Sequence, residues 1–178
     1  LESLDAPMYK IASLETGDHR LIKAVAETGK PLIISTGATE WNEIEELVEV
    51  VDKAGNKDLT LLVCTSSYPS DPVDAHLGRI ETLKNRFGVK VGLSDHTLGI
   101  EVPIAAVSLG ASVIEKHITL DKNLPGPDHK ASWLRLLSRR ALLDLFLGNR
   151  IQYFSEYRNA PQNARSVYLS PCQKQRWR

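Results

Sequence analysis

From residue 8 to residue 120 the chain alternates two kinds of segment. Short apolar runs, rich in β-branched residues, stand at 8–13 (MYKIAS), 31–35 (PLIIS), 59–65 (LTLLVCT), 89–94 (VKVGLS) and 111–119 (ASVIEKHIT). Between them lie stretches at about 18–28, 40–54, 75–87 and 99–109, whose apolar positions recur at helical spacing. Gly29, Gly55, Gly88 and Gly110 follow these stretches, where a helix C-terminus needs a residue tolerant of positive φ. Asp18, Thr39 and Asp74 stand where N-caps are expected. The pattern predicts five strands and four helical crossovers. Right-handed crossovers turn that order into a parallel α/β sheet with helices outside. The strands show little strict alternation, as expected when both sheet faces are buried.

Two architectures fit this order: an open doubly wound sheet, or part of a (β/α)8 TIM barrel. Polar clusters favour the barrel. Every apolar run ends in one: Ser13-Leu-Glu15, Ser35-Thr-Gly37, Thr65-Ser-Ser-Tyr68, Ser94-Asp-His-Thr97 and Glu115-Lys-His117. An open sheet concentrates its site at one crevice, whereas a barrel gathers residues from many strand ends around one mouth. A whole barrel takes about 250 residues, so the pattern accounts for part of one. That part would leave sheet edges open at Met8–Ser13 and at Ser112–Thr119. No Gly-x-Gly-x-x-Gly turn or Walker loop occurs, which argues against a nucleotide site.

His96 and His117 close the fourth and fifth runs, 21 residues apart. A βαβ unit of that length brings both imidazoles to the same end of neighbouring strands. Neutral imidazole is the commonest protein metal ligand. Two such ligands leave positions for water and substrate oxygens, and an open site of this kind polarises a carbonyl as a Lewis acid. Asp95 and Glu115 are placed to orient the imidazoles from behind. The other reading is a pair of hydrogen-bonded structural histidines.

Hydroxyls are the second theme. Ser13, Ser35, Thr36, Ser66, Ser67, Tyr68 and Ser94 all lie at strand ends. With Lys10 they suit a phosphate or carboxylate, the lysine as a point charge and the hydroxyls as directed donors. Helix capping is the competing use of such Ser and Thr. Lys10, between Tyr9 and Ile11, would be buried in the sheet or point into a barrel, and a buried lysine has an anionic partner or a function. Glu15 suits a polyhydroxylated ligand or simply solvent. Asp128 and His129 lie on a Pro-Gly-Pro loop past the fifth run, where they cover the mouth or form a plain turn.

Charge changes the picture at one place. The 178-residue chain has 22 Lys/Arg and 22 Asp/Glu, so its net charge is zero. Residues 133–178 hold nine of the basic residues and two of the acidic ones, +7 against −7 for the remainder. A basic tail invites a nucleic-acid reading, but this one has no recognised nucleic-acid fold, so nucleic acid is not an expected partner. Residues 133–147 have helical spacing with Gly148 as a stop, and are too short and charged to span a membrane. Asn159–Arg165 and Gln173–Arg178 read as irregular. Cys64 reads as a buried thiol, and Cys172 has no partner in the pattern. With no signal peptide or membrane segment, a cytoplasmic location is expected.

Six stretches together resemble the sialic acid synthase family, the N-acetylneuraminate, legionaminic and pseudaminic acid synthases. They are Tyr9-Lys-Ile-Ala-Ser-Leu-Glu15, Pro31-Leu-Ile-Ile-Ser-Thr-Gly37, Cys64-Thr-Ser-Ser-Tyr-Pro69, Gly92-Leu-Ser-Asp-His-Thr-Leu-Gly99, Leu109-Gly-Ala-Ser-Val-Ile-Glu-Lys-His117 and Gly126-Pro-Asp-His-Lys-Ala-Ser132. The last looks closer to the sialic and legionaminic branches. The resemblance spans residues 5–132, and implies about strands 4–8 of the family's TIM barrel in residues 1–132, followed by an unmatched basic tail, 133–178.

The resemblance also implies an activity: condensation of phosphoenolpyruvate with an N-acetylated hexose of the N-acetylmannosamine type. The products are a nine-carbon 2-keto sugar acid and phosphate. It implies His96 and His117 as ligands of a divalent metal, Mn2+ first among candidates, and as catalytic residues together with Lys10. It places Lys10, Ser13, Ser35, Ser66, Tyr68 and Ser94 around phosphoenolpyruvate, and Glu15 and Asp128 around the acceptor sugar. It implies a homodimer. The family's three further strands and its antifreeze-like C-terminal domain find no match here. The alternative is therefore a non-catalytic half-barrel that binds sugar or metal, or associates with other subunits.

Overall fold

The computed structural model describes residue 3 and residues 5–126, 128–130, 132–134, 151–154 and 165–171. All five predicted strands form: β1 (Tyr9–Ile11), β2 (Leu32–Ser35), β3 (Leu59–Cys64), β4 (Lys90–Asp95) and β5 (Ile114–Thr119). They pair in parallel and in sequence order. The four crossovers carry α1 (His19–Ala26), α2 (Trp41–Lys53), α3 (Arg79–Phe87) and α4 (Glu101–Ser108). All four expected glycines adopt positive φ, between 65° and 92°, a conformation that costs glycine little because it lacks Cβ.

Capping follows the sequence at one helix and departs from it at two. The Asp18 carboxylate accepts from the N–H groups of Arg20 (3.2 Å) and Leu21 (3.0 Å). Helix α2 instead starts after Glu40, whose N–H donates to the Glu43 carboxylate at 2.7 Å. Thr39 turns its hydroxyl to that of Thr16, 3.0 Å away. Asp74 lies inside a 3-10 turn, Pro72–Ala75, capped by Asp71, and α3 begins only after Gly78. Between the two, His76 takes φ 44°, a left-handed conformation that no continuous helix accommodates.

The two sheet faces differ in kind. Ile34, Leu61, Val91 and Ile114 point outward and pack with helix residues such as Ile22, Ile44, Leu47 and Ile80 in the main core. Each fully buried aliphatic side chain contributes about 1.5–3 kcal/mol. On the opposite face, Ile33, Leu62 and Val113 form a small separate cluster with Met8. Strand periodicity carries that inner face from this apolar floor to Lys10, Ser35, Cys64, Ser94, Glu115 and His117. The inner face is thus apolar at its base and polar toward the C-terminal strand ends, the organisation of a barrel interior.

The edge expected to be open at Ser112–Thr119 is covered. A strand β6 (Trp133–Leu134) pairs in parallel with Ile118 and Thr119. Below it, β8 (Arg165–Pro171) runs antiparallel along Ile114–Ile118, and β7 (Ile151–Phe154) pairs with β8. An unpaired edge presents a row of free N–H and C=O groups, and a strand from the same chain satisfies them. At the other edge, β1 has only β2 as its neighbour among the described residues. The helix expected at 133–147 begins as the β6 strand, and its remainder lies outside the described residues. Of the stretches expected to be irregular, Arg165 opens β8; the others and Cys172 also lie outside. No helix among the described residues is long and apolar enough to cross a membrane.

Candidate functional site

Three rings meet at the C-terminal ends of β3, β4 and β5. The His96 and His117 ring centres are 5.5 Å apart. Tyr68, from the segment after β3, stacks 4.0 Å from His96 and 5.7 Å from His117. His96 is buried, and its Nδ1 lies 2.7 Å from the carbonyl oxygen of Thr65. That carbonyl only accepts, so Nδ1 carries the proton, and in the neutral ring Nε2 keeps its lone pair. Burial holds the His96 pKa below its ordinary 6.5; the Thr65 hydrogen bond opposes this and the neighbouring His117 adds to it. Burial therefore favours the neutral imidazole at His96, the form in which Nε2 offers a lone pair.

His117 supplies the complementary observation. Its Nδ1 is buried and has no hydrogen-bond partner. A buried polar atom without a partner is costly, and a bound cation removes that cost. The donor chemistry of the pair fits a divalent transition metal. Among the described residues no group of three or more His, Cys, Asp or Glu is placed to hold a metal, so the two imidazoles would leave most of its shell to water and substrate.

Neither Asp95 nor Glu115 is hydrogen-bonded to an imidazole, so the direct contact expected of them is not seen. Asp95 bonds to the Lys116 ammonium (2.5 Å) and the Thr97 N–H (3.0 Å). It precedes His96 in the chain, so strand alternation turns it to the outer face. Glu115 shares the inner face with His117, but Lys10 takes it: Nζ lies 3.2 Å from Oε2. The anionic partner expected for a buried Lys10 is thus Glu115. Burial lowers the pKa of Lys116, against the pull of Asp95. Sequence reasoning missed both Lys116 and the Thr65 carbonyl; alternation about His117 was the one available signal for the lysine.

A hydroxyl and thiol cluster adjoins the rings. Ser13 Oγ accepts from the Gly37 N–H at 3.0 Å. The Cys64 thiol hydrogen-bonds with Ser13 and Ser94, and burial pushes its pKa up. A Cβ on Gly37 would sit 2.9 Å from Cys64 Sγ and from Ser66 Oγ, so glycine allows the loop after β2 to seat on the end of β3. Ser35 is buried, and its hydroxyl has no hydrogen-bond partner. Tyr68 is half exposed, and its phenol is pushed up to about 12, first by burial and then by Cys64, Glu115 and Asp128. It remains a proton donor through the physiological range.

Two expected residues lie in 3-10 turns. Glu15 is exposed in the 3-10 turn Ser13–Glu15, where its carboxylate accepts from the Ala12 N–H at 3.0 Å. Asp128 opens the 3-10 turn Asp128–Lys130 and is felt electrostatically by Tyr68. The turn is tied to β5 by His129, whose Nδ1 lies 2.7 Å from the Thr119 hydroxyl.

Residues 1–142 match the NeuB family. The chain belongs to the NeuB family. It is 50% identical over 128 residues to the pseudaminic acid synthase of Helicobacter pylori, covering 72% of this chain and 38% of that protein. It is 47% identical over 134 residues to the N,N'-diacetyllegionaminic acid synthase of Campylobacter jejuni, covering 74% and 40%. These two identities do not separate the pseudaminic from the legionaminic branch. Among solved structures, the N-acetylneuraminic acid synthetase of Leptospira borgpetersenii in complex with citrate superposes with a TM-score of 0.77 at 36% identity, covering 82% of this chain and 50% of that one. The NeuB-family chain spans about two fifths of the length of the curated relatives it matches.

Proposed function

We propose that the strand-end cluster is the metal and phosphoenolpyruvate portion of a sugar-acid synthase site. The reaction condenses phosphoenolpyruvate with an N-acetylated hexose to a nine-carbon 2-keto sugar acid and phosphate. The observation that carries this reading is the meeting of His96 and His117 on the same inner face as the Lys10–Glu115 pair. Support comes from the family and from relatives named as synthases of this class of sugar acid.

His96 and His117 would hold a divalent metal, Mn2+ by preference. When bound, it supplies Lewis-acid polarisation of the sugar aldehyde. Lys10 provides the positive charge for the phosphoenolpyruvate anion, and Glu115 keeps that ammonium aimed across the inner face. Ser13, Ser35, Ser66 and Ser94 offer hydroxyls to its oxygens. Tyr68, protonated at neutral pH, donates from the mouth. Glu15 and Asp128 serve the acceptor sugar's hydroxyls from the surrounding loops. C3 of phosphoenolpyruvate bonds to the aldehyde carbon, water adds at C2, and phosphate departs by C–O cleavage.

A second reading is that this segment binds metal or sugar without turnover on its own; β1 has only β2 as a neighbour among the described residues, so the ring of strands is not closed within them. One experiment separates the two. Phosphate release from phosphoenolpyruvate, with N-acetylmannosamine and Mn2+, is measured for the chain and for a chimera. In the chimera, residues 5–132 replace the matching segment of the Leptospira synthetase. Release by the chimera, abolished by His96→Ala or His117→Ala, is the expected result. A folded chimera that releases no more phosphate than a sugar-free control sinks the enzymatic reading. Turnover by the chimera but not by the chain assigns the chain the second reading.

A further inference from the structure

We infer that Asp95 and Lys116, on the sheet face opposite the rings, set the separation of His96 and His117. This rests on the metal reading proposed above for the two histidines. The β4–β5 ladder ends at Asp95↔Lys116, its last paired rung. The next residue on each strand is the histidine. Successive side chains on a strand leave opposite faces, so the rings emerge inward just beyond a rung whose own side chains point outward.

That rung is tied by a buried ion pair. Lys116 Nζ lies 2.5 Å from Asp95 Oδ2, with side-chain exposures of 5% and 1%. The same ammonium donates to the Thr97 carbonyl oxygen. The other Asp95 oxygen accepts from the Thr97 N–H at 3.0 Å. Lys116 therefore grips residues 95 and 97, the two neighbours of His96, from the residue that precedes His117. One side chain fixes both backbones where the imidazoles leave the sheet.

No hydrogen bond ties the two rings to each other, although Tyr68 lies against both, 4.0 Å from His96 and 5.7 Å from His117. His96 is held by Thr65, on β3's side of the site. His117 Nδ1 has no hydrogen-bond partner. Apart from the packing of Tyr68, the 5.5 Å between the rings therefore depends on the relative placement of the two strand ends. Apolar residues could fill this outer face with less desolvation cost than an ion pair. What they would not supply is the grip on both sides of His96. Asp95 and Lys116 are positioning residues, since neither touches the proposed ligand.

The test uses the full chain. A single substitution strands a buried charge and can prevent folding, so the informative variant is the apolar double, Asp95→Leu/Lys116→Met. Two quantities are read: Mn2+ affinity by calorimetry, and the imidazole proton–nitrogen NMR signals of the metal-free protein. A loss of about tenfold in metal affinity, the lower end of the range for groups bonded directly to ligands, suits a pair that acts through the backbone. That loss is expected in a folded double variant. The His117 imidazole signals should shift, while the His96 Nδ1–H signal, anchored by Thr65, stays. A folded double variant with Mn2+ affinity within about twofold of the parent and unmoved His117 signals overturns the inference. Absence of Mn2+ binding by the parent chain would instead sink the metal reading. The positioning role is then decided by the metal-free signals alone: shifted signals support it and unmoved signals overturn it.

Discussion

Lys10 and Glu115 are 105 residues apart in sequence and on the first and fifth strands of the parallel run, yet their charged groups meet at 3.2 Å. In a flat sheet, four spacings of about 4.8 Å would separate those strands by about 19 Å, farther than the two side chains reach together. The sheet therefore curls, and the pair is a chord across its concave face. Curl of this kind is what closes a barrel. It also gathers the strand ends around one volume, which an open sheet would not do.

Removing one end of that chord should expose its contribution. Lys10→Met leaves the Glu115 carboxylate largely buried without its counter-charge. Breaking a buried pair costs 3–5 kcal/mol, and about 3 is expected here because Lys10 keeps some exposure to water. Urea unfolding measures it as a lower midpoint with an unchanged slope. Lys10→Met/Glu115→Gln should recover most of the loss. A change of less than about 0.5 kcal/mol, the scale of a surface pair, would mean that the curl is held by packing alone.

The floor of the concave face makes a second, steric prediction. A Cβ on Gly92 would lie 2.3 Å from the Val113 carbonyl oxygen and 2.7 Å from Leu62 Cδ2. The leucine can move; the carbonyl stands immediately before β5 and accepts the Leu93 N–H at 2.9 Å. Gly92→Ala must therefore part β4 from β5, directly below the histidines. A loss of about 2 kcal/mol is expected, in the range of core overpacking. Gly55→Ala, with open space around the added methyl but φ of 79°, should instead lose about 1 kcal/mol from backbone strain alone. Chemical denaturation of the two variants side by side tests the difference.

Cys64 offers a prediction in pH. Burial is the main cause that raises its thiol above the ordinary 9.0, against hydrogen bonds from Ser13 and Ser94. An acid with a raised pKa keeps its proton to higher pH, so the thiolate fraction at pH 8 is smaller than for a free thiol. Alkylation by iodoacetamide at pH 8 should be at least about tenfold slower in the native chain than in urea. The native rate should still be climbing beyond pH 9. Peptide mass mapping counts Cys64 separately from Cys172. A native rate that levels off by pH 9 would contradict the burial account.

Much of this was readable along the chain, for definite physical reasons. β-Branched runs marked the five strands, and a helix-ending glycine set off each of the last four, features that backbone sterics largely decide. The 21-residue spacing of His96 and His117 placed them at one sheet end. A lysine between Tyr9 and Ile11 announced an anionic partner, but only the curl reveals it as Glu115. The Asp95–Lys116 grip was hidden because it depends on which face each strand residue takes, and register is a tertiary property. Thr39 and Asp74 were misplaced as caps because Glu43 and the left-handed His76 compete locally. At Trp133–Leu134 the strand was not foreseen for a similar reason: the Leu and Arg residues that follow recur at helical spacing in the sequence, whereas pairing to the edge of β5 is a long-range choice.

Ser35 joins stability and function in one side chain. Its hydroxyl is buried on the inner face and has no hydrogen-bond partner. Leaving a buried polar group unsatisfied costs about 1–3 kcal/mol, so Ser35→Ala should raise stability by about 1 kcal/mol if the hydroxyl serves only the fold. Under the proposed function, that hydroxyl is held for the oxygens of phosphoenolpyruvate. The same substitution should then weaken phosphoenolpyruvate binding about tenfold, the equivalent of one lost hydrogen bond. Thermal unfolding and calorimetry on the same protein read the two effects. Opposite signs, a firmer fold with a weaker ligand, are the mark of a group retained for binding. A more stable variant with unchanged affinity would remove Ser35 from the anion site and leave Lys10, Ser13, Ser66, Tyr68 and Ser94 to carry it.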